Sequence, residues 1–237
     1  MIGTLVNTGA IVAGGLCGMA FGRLIRTRHQ ETLTMACGVG TLFIGISGAM
    51  NYMLHHAQLP EGGSMLVVIC LALGGLIGEA LNLEAGFERF GEWLKRKTGN
   101  AKDPRFVNGF VTASLTVCIG AMAIMGAIQD GIQGDWSTLG AKAVLDLIII
   151  MVMTCSLGKG CMFSAIPVFL WEGALTLLAG AVRPLMTERA MSYLSLVGSV
   201  LIFCVGLNLV WGKKIRVANL LPAVALAVAA AFLPVSF

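Results

Sequence analysis

Ala143-Val-Leu-Asp146-Leu-Ile-Ile-Ile-Met-Val-Met153 is apolar enough to cross a lipid bilayer, apart from one carboxylate. An ionised side chain at the centre of a bilayer costs about 2.5–3.5 kcal/mol, so Asp146 needs a partner, a proton, or a face turned to water or to another helix. Each of these outcomes makes it a candidate site residue. The rest of the chain has the same character. Hydrophobic residues make up 57% of it and charged residues only 12%, and the mean hydropathy is +0.87. An ordinary soluble domain carries about 25% charged residues. The sequence therefore reads as an all-α polytopic membrane protein, with residues 1–237 forming one transmembrane domain.

A crossing needs about 20 predominantly apolar residues. On that measure eight transmembrane helices are expected, over 2–22, 33–54, 64–83, 107–129, 138–157, 161–182, 191–211 and 217–236. Basic residues orient them, because loops on the cytoplasmic side are enriched in Lys and Arg. Thirteen of the sixteen fall after spans one, three, five and seven: Arg23, Arg26, Arg28, Arg89, Lys95, Arg96, Lys97, Lys102, Arg105, Lys159, Lys213, Lys214 and Arg216. Only Arg183 and Arg189 lie in an outer loop, and Lys142 belongs to span five. Both termini are expected on the outer face, with the first span retained rather than cleaved. Basic residues confined to short loops also argue against a nucleic-acid partner. Seven cysteines, odd in number and without a CxxC pair, read as small core residues.

The segment 84–100 is expected to form an amphipathic helix along the cytoplasmic interface, with Phe87, Phe90 and Leu94 on one face and Arg89, Lys95, Arg96 and Lys97 around them. Gly14, Gly18 and Gly22 recur every four residues in span one, as do Gly74 and Gly78 in span three. Such ridges let helix backbones approach closely, which favours packing within the chain over a subunit interface, although a homo-oligomer stays open. Gly120 and Gly126 offer similar contacts in span four. The glycines also hint at an internal duplication. Gly14-Gly-Leu-Cys-Gly18 resembles Gly74-Gly-Leu-Ile-Gly78, which implies a parallel repeat, whereas Gly40 and Gly48 set against Gly198 and Gly206 imply an inverted one.

Polar residues within the spans carry the chemistry. Glu172 lies close to the expected midplane on the span after Asp146, and Lys142 lies one turn before Asp146. Gln129 and Asp130 end span four, Ser164 opens span six, and Asn7 and Asn208 place amides in spans one and seven. Pro167 removes a helix hydrogen bond and frees a carbonyl near Phe163 and Ser164. Plainer roles compete with a site. Lys142 and Asp146 at i, i+4 can neutralise each other, Glu172 can hold helices together, Asp130 can sit at the headgroups, and the asparagines can bond across helices.

The run Phe110-Val-Thr-Ala-Ser-Leu-Thr-Val-Cys118-Ile-Gly120-Ala-Met-Ala-Ile-Met-Gly126-Ala-Ile-Gln129-Asp130-Gly131, with Lys142-Ala-Val-Leu-Asp146 and Phe163-Ser-Ala-Ile-Pro167, resembles the YqgA/YdfK family of bacterial inner-membrane proteins. Gly3-Thr-Leu-Val-Asn7, Gly74-Gly-Leu-Ile-Gly78-Glu79 and Val217-Ala-Asn-Leu-Leu-Pro222 extend the resemblance over nearly the whole chain. Where the family often has a proline after its cysteine-glycine run, this chain reads Ala121-Met122. The resemblance, to a domain of unknown function (554), implies a protein of the bacterial inner membrane and supplies no substrate.

The residues point to a transporter or channel-like protein for a small solute, cation or proton, with a polar site between spans four, five and six. The alternative is an accessory, assembly or sensory membrane protein without transport activity. No cofactor or metal is expected, and no enzymatic activity, because His29, His55 and His56 lie in loops and Ser164 has no membrane histidine as a base.

Overall fold

A computed structural model of the chain describes residues 1–24, 27–55, 63–119 and 121–233; Arg26, His56 and Gly120, named above, lie outside them. Among the described residues the fold is all-helical. Helices α1 (Ile2–Leu24), α2 (Thr27–His55), α3 (Gly63–Leu81), α7 (Ser137–Leu157) and α10 (Glu188–Trp211) are long and apolar enough to cross a membrane. So is the segment formed by a 3-10 stretch, Lys159–Ser164, running into α8 (Ala165–Leu177). Between them lie α4 (Leu83–Lys97), α5 (Phe106–Cys118), α6 (Ala121–Gln133) and the short α9 (Ala179–Val182). A 3-10 turn, Val217–Leu220, leads into α11 (Pro222–Ala230).

Six full-length candidates are thus found where the sequence led us to expect eight spans. The fourth expected span is α5 followed by α6, bent by 62° to each other, and counts as a seventh candidate if taken as one crossing. Ile119 ends α5 in an extended conformation, with ψ at 117°. The eighth is short because Pro222, at the first helical turn, starts a new helix after the 3-10 turn. It nevertheless runs beside most of α3. A Cβ on Gly78 would meet the Asn219 backbone and one on Gly74 would meet Ala223, while Ala227 and Ala230 share a core with Leu66, Val67 and Cys70. The final segment is therefore antiparallel to α3 and covers about 18 Å of its depth.

Glycine ridges fix the other directions. Gly14, Gly18 and Gly22 abut Leu147, Met151 and Cys155 of α7, so the two helices run parallel with backbone against backbone. A side chain on Gly14 or Gly18 would overlap the carbonyl oxygen of Leu147 or Met151. Gly38, Gly45 and Gly48 of α2 face Val210, Phe203 and Ser199 of α10, an antiparallel pair. The α1 and α3 ridges thus serve unlike partners in opposite senses, and a Cβ on Gly40 would meet nothing within 4 Å. Gln30, at the start of α2, donates to the Gly22 carbonyl at 3.0 Å, which sets α2 antiparallel to α1. Met1 and Ala231 consequently lie at one end of the bundle, and Arg105, Lys159 and Lys213 at the other.

Helix α4 has the expected apolar face, but that face is turned to protein as well as to its surroundings. Leu94 is buried, and Phe90 meets Phe110 of α5 edge-on at 5.7 Å. Its last turn carries Lys95, Arg96 and Lys97, favourable beside the negative end of a helix. Six of the seven cysteines are buried or half-buried and Cys17 is exposed on α1, contrary to a core role for all seven; all are free thiols.

Candidate functional site

Four polar side chains from three helices meet inside the bundle. Lys142 and Asp146 lie on one face of α7 and form an ion pair. The Lys142 ammonium also lies 3.4 Å from Oε1 of Glu172 on α8. Asn7 on α1 donates its amide to that same oxygen at 2.8 Å. Asn7 and Glu172 have no exposed surface, and Asp146 and Lys142 retain 4% and 6%. One ammonium therefore serves two carboxylates inside the bundle. Two acceptors, Asn7 Oδ1 and Glu172 Oε2, are buried without any partner. Buried polar groups are nearly always bonded, so two orphans in one cluster call for a physical account.

On the side of Met1 the cluster is flanked by further buried polar groups. Thr4, one turn before Asn7, lies 3.2 Å from Thr176, one turn after Glu172. Thr176 donates to the Glu172 carbonyl at 2.8 Å, so Thr4 is the donor in the threonine pair. At the rim, Asp130 of α6 accepts from the Gly3 amide at 3.0 Å and from the Met1 amine at 2.8 Å, which neutralises the positive start of α1. Asn7 is five residues into α1 and Asp146 nine into α7, depths of about 8 and 14 Å at 1.5 Å per residue. Asp146 thus lies near the middle of α7, while Glu172 lies five residues before the end of α8, on the side of Met1.

The break between α5 and α6 lies beside this cluster. Gly126 of α6 abuts Leu139 of α7, and Gln129 accepts from Thr138 at 2.6 Å. In that antiparallel register Ile119, seven residues before Gly126, is level with Asp146, seven after Leu139. Lys142, Glu172 and Asp146 accordingly lie within electrostatic reach of Cys118, the last residue of α5. Interrupted helices expose backbone groups and dipole ends that can face an ion or a charged solute.

The remaining expected residues go elsewhere. Gln129 and Asp130 fasten α6 to α7 and α1 without touching the acids. Ser164 donates to the Cys161 carbonyl at 2.7 Å, two turns from Glu172. Asn208 binds the backbone of Lys214 and Ile215 beyond α10, at the far end of the bundle. Pro167 lies in the first turn of α8, where its missing N–H costs little, and lines an apolar groove of about 730 Å³ with Cys118, Ile119 and Trp171. The expected site between spans four, five and six is thus redrawn: α1 supplies Asn7, while α5 and α6 stand alongside. Thr4 and Thr176 were missed, although each sits three or four residues from a chosen residue and so shares its helix face.

The chain belongs to the family described as "Protein of unknown function (DUF554)". Its model matches residues 2–232, and so takes in the whole cluster. The chain is similar to "Uncharacterized membrane protein YdfK" of Bacillus subtilis (strain 168), 31% identical over 222 residues that cover 94% of this chain and 92% of the relative. It is likewise similar to "Uncharacterized protein YqgA" of Escherichia coli (strain K12), 30% identical over 231 residues covering 96% and 94%. No solved structure matches. With these relatives and its apolar helices, the protein is a membrane protein.

A second polar cluster closes the opposite end. Asn82 turns the chain from α3 into α4 with a left-handed φ of 50°, which asparagine tolerates. Asn219 accepts from the Glu84 amide at 2.7 Å and donates to Glu79 at 2.6 Å, and Glu84 accepts from the Ala218 amide at 3.0 Å. Lys213 bridges Glu84, at 2.8 Å, and Glu88. Partial burial works against the charge on Lys213, but the hydrogen bonds and charges of Glu84 and Glu88 outweigh it and raise its pKa. These contacts join residues some 135 positions apart and left no local mark in the sequence.

Proposed function

We propose that this protein is a multi-pass transporter of the bacterial inner membrane that moves a small cation or proton, alone or with a small solute, through the site formed by Asn7, Lys142, Asp146 and Glu172. The observation that carries the reading is a buried ammonium shared by two carboxylates, with two unpartnered acceptors, level with an interruption in a membrane-crossing segment. Ionisable groups kept within a membrane at such cost commonly mark ion or proton pathways. A cavity of about 460 Å³ supports access from the other side. It runs from Glu84, Glu88 and Lys213 along Asn108, Thr112 and Leu115, one turn short of Cys118.

Enclosure of the cluster favours a second reading, an accessory protein in which the four side chains only fix helix packing. The two cavities described here are not lined by Asp146, Glu172 or Gln129. Against it stand the orphaned acceptors, which a purely structural network would satisfy. No enzymatic role, cofactor or nucleic-acid partner is proposed: Ser164 is bonded to a carbonyl rather than to a base. The basic end of the bundle is assigned to the cytoplasm and both termini to the outside. A carboxy-terminal alkaline phosphatase fusion that stays inactive, while a fluorescent protein fused there is bright, would reverse that orientation.

Reconstitution in vesicles carrying an internal pH- or cation-sensitive dye tests the function. Asp146→Asn should leave a folded protein without flux, and adding Lys142→Met should not restore it. If the purified wild-type chain moves no proton or cation under any gradient, while Asp146→Asn merely destabilises the fold and Lys142→Met repairs it, the accessory reading replaces transport.

A further inference from the structure

The two orphaned atoms are the unpaired halves of two groups that already touch. Asn7 Nδ2 donates to Glu172 Oε1 at 2.8 Å, and the atoms left over are Asn7 Oδ1 and Glu172 Oε2. An amide oxygen and an ionised carboxylate oxygen are both acceptors and cannot bond to each other. A single proton on Oε2 would make it a donor that can give Asn7 Oδ1 a hydrogen bond, and would so complete a cyclic acid–amide pair in which each group gives and accepts once. One proton would then satisfy both orphans.

Charge and distance point the same way. With both acids ionised the cluster carries two negative charges against one positive, within a region almost without accessible surface. The Lys142 ammonium pairs closely with Asp146 and stands at 3.4 Å from Glu172, longer than the ~2.7–2.9 Å of a charge-assisted bond. The titratable groups that bear on Glu172 are Lys142 and Asp146 from α7 and Cys118 from α5. Asp130 of α6 is held at the rim by Gly3 and Met1, and α1 offers only the neutral Asn7. Among the described residues no second cation is at hand for Glu172.

We propose that Glu172 is the proton site of this protein, holding one proton on Oε2 that is donated to Asn7 Oδ1, while Asp146 remains the ionised partner of Lys142. Release sends that proton to water past Thr176, Thr4 and Asp130, opens the ring, and leaves a second carboxylate 3.4 Å from the ammonium to compete with Asp146 for it. The protonation stands on its own; naming the proton as cargo or coupling ion rests on the transport reading above.

Infrared difference spectroscopy of the full chain in lipid vesicles tests it. The wild type at neutral pH should show the C=O stretch of one protonated carboxyl, shifted by 13C-labelled glutamate and therefore assignable without any variant. Glu172→Gln should remove the band yet keep wild-type stability, because a glutamine amide rebuilds the ring with Asn7, and Asn7→Ala should move the band toward a free acid. Absence of a glutamate acid band in the wild type overturns the proposal, as does a band that survives Glu172→Gln. If the band is present but vesicles show no proton or cation flux, the proton site stands and transport falls. If flux occurs and Glu172→Gln leaves its pH dependence unchanged, transport stands and the proton assignment falls.

Discussion

Removing Lys142 should cost this protein a definite, pH-dependent amount of stability. Lys142→Met keeps the volume and the helix but takes away the ammonium shared by Asp146 and Glu172, both almost wholly buried. Leaving one member of a buried pair uncompensated typically costs about 3–5 kcal/mol. The bared Asp146 can limit the loss by taking up a proton. Against an unfolded-state pKa of about 3.9, holding that proton at pH 7 costs about 3.1 units at 1.36 kcal/mol each, or roughly 4 kcal/mol. The two routes agree. In the variant the folded state then binds one more proton than the unfolded state, so stability falls as pH rises, by about 1.4 kcal/mol per unit between pH 4 and 7, relative to wild type. Denaturation in mixed detergent–SDS micelles, followed by tryptophan fluorescence at several pH values, reads this slope. Lys142→Met with Asp146→Asn should recover most of the deficit, since no unpaired charge remains. A deficit that is absent at pH 7, or constant from pH 5 to 8, would refute the picture of a buried ammonium serving two acids.

Gly18→Leu should lower stability by more than the ~1–3 kcal/mol usual for overpacking, because even a Cβ there would overlap the Met151 carbonyl and Thr154, whereas Gly40→Leu should be tolerated because a Cβ there meets open space. Melting and size-exclusion profiles of the two variants compare them directly, and equal behaviour would count against the α1–α7 backbone contact. At the other end, the raised pKa of Lys213 means that its pairing with Glu84 and Glu88 contributes fully below the ordinary lysine range and fades as pH climbs through the raised value. Lys213→Met should therefore lose stability at pH 7 and show a flatter alkaline limb than wild type above pH ~10.4; identical alkaline limbs would show that the bridge is idle.

The sequence by itself determined the membrane character, the all-helical class and the residues worth watching. Hydropathy is a local property that bilayer insertion reads one span at a time, so composition carried the first two. Asp146, Glu172 and Lys142 stood out for the same reason, as charges in hydrocarbon. Only the tertiary structure decided which of these residues meet. The glycine ridge of α1 brings that helix against α7, and this contact delivers Asn7 to Glu172 across 165 positions of chain while sending Asn208 and Ser164 elsewhere. The division of span four into α5 and α6, and the shortness of α11 beside α3, likewise escaped a hydropathy window, which averages over a break and a 3-10 turn. Partner choice depends on which backbones can approach across the bundle, and a single chain's sequence records the small residue that permits an approach without recording what comes to fill it.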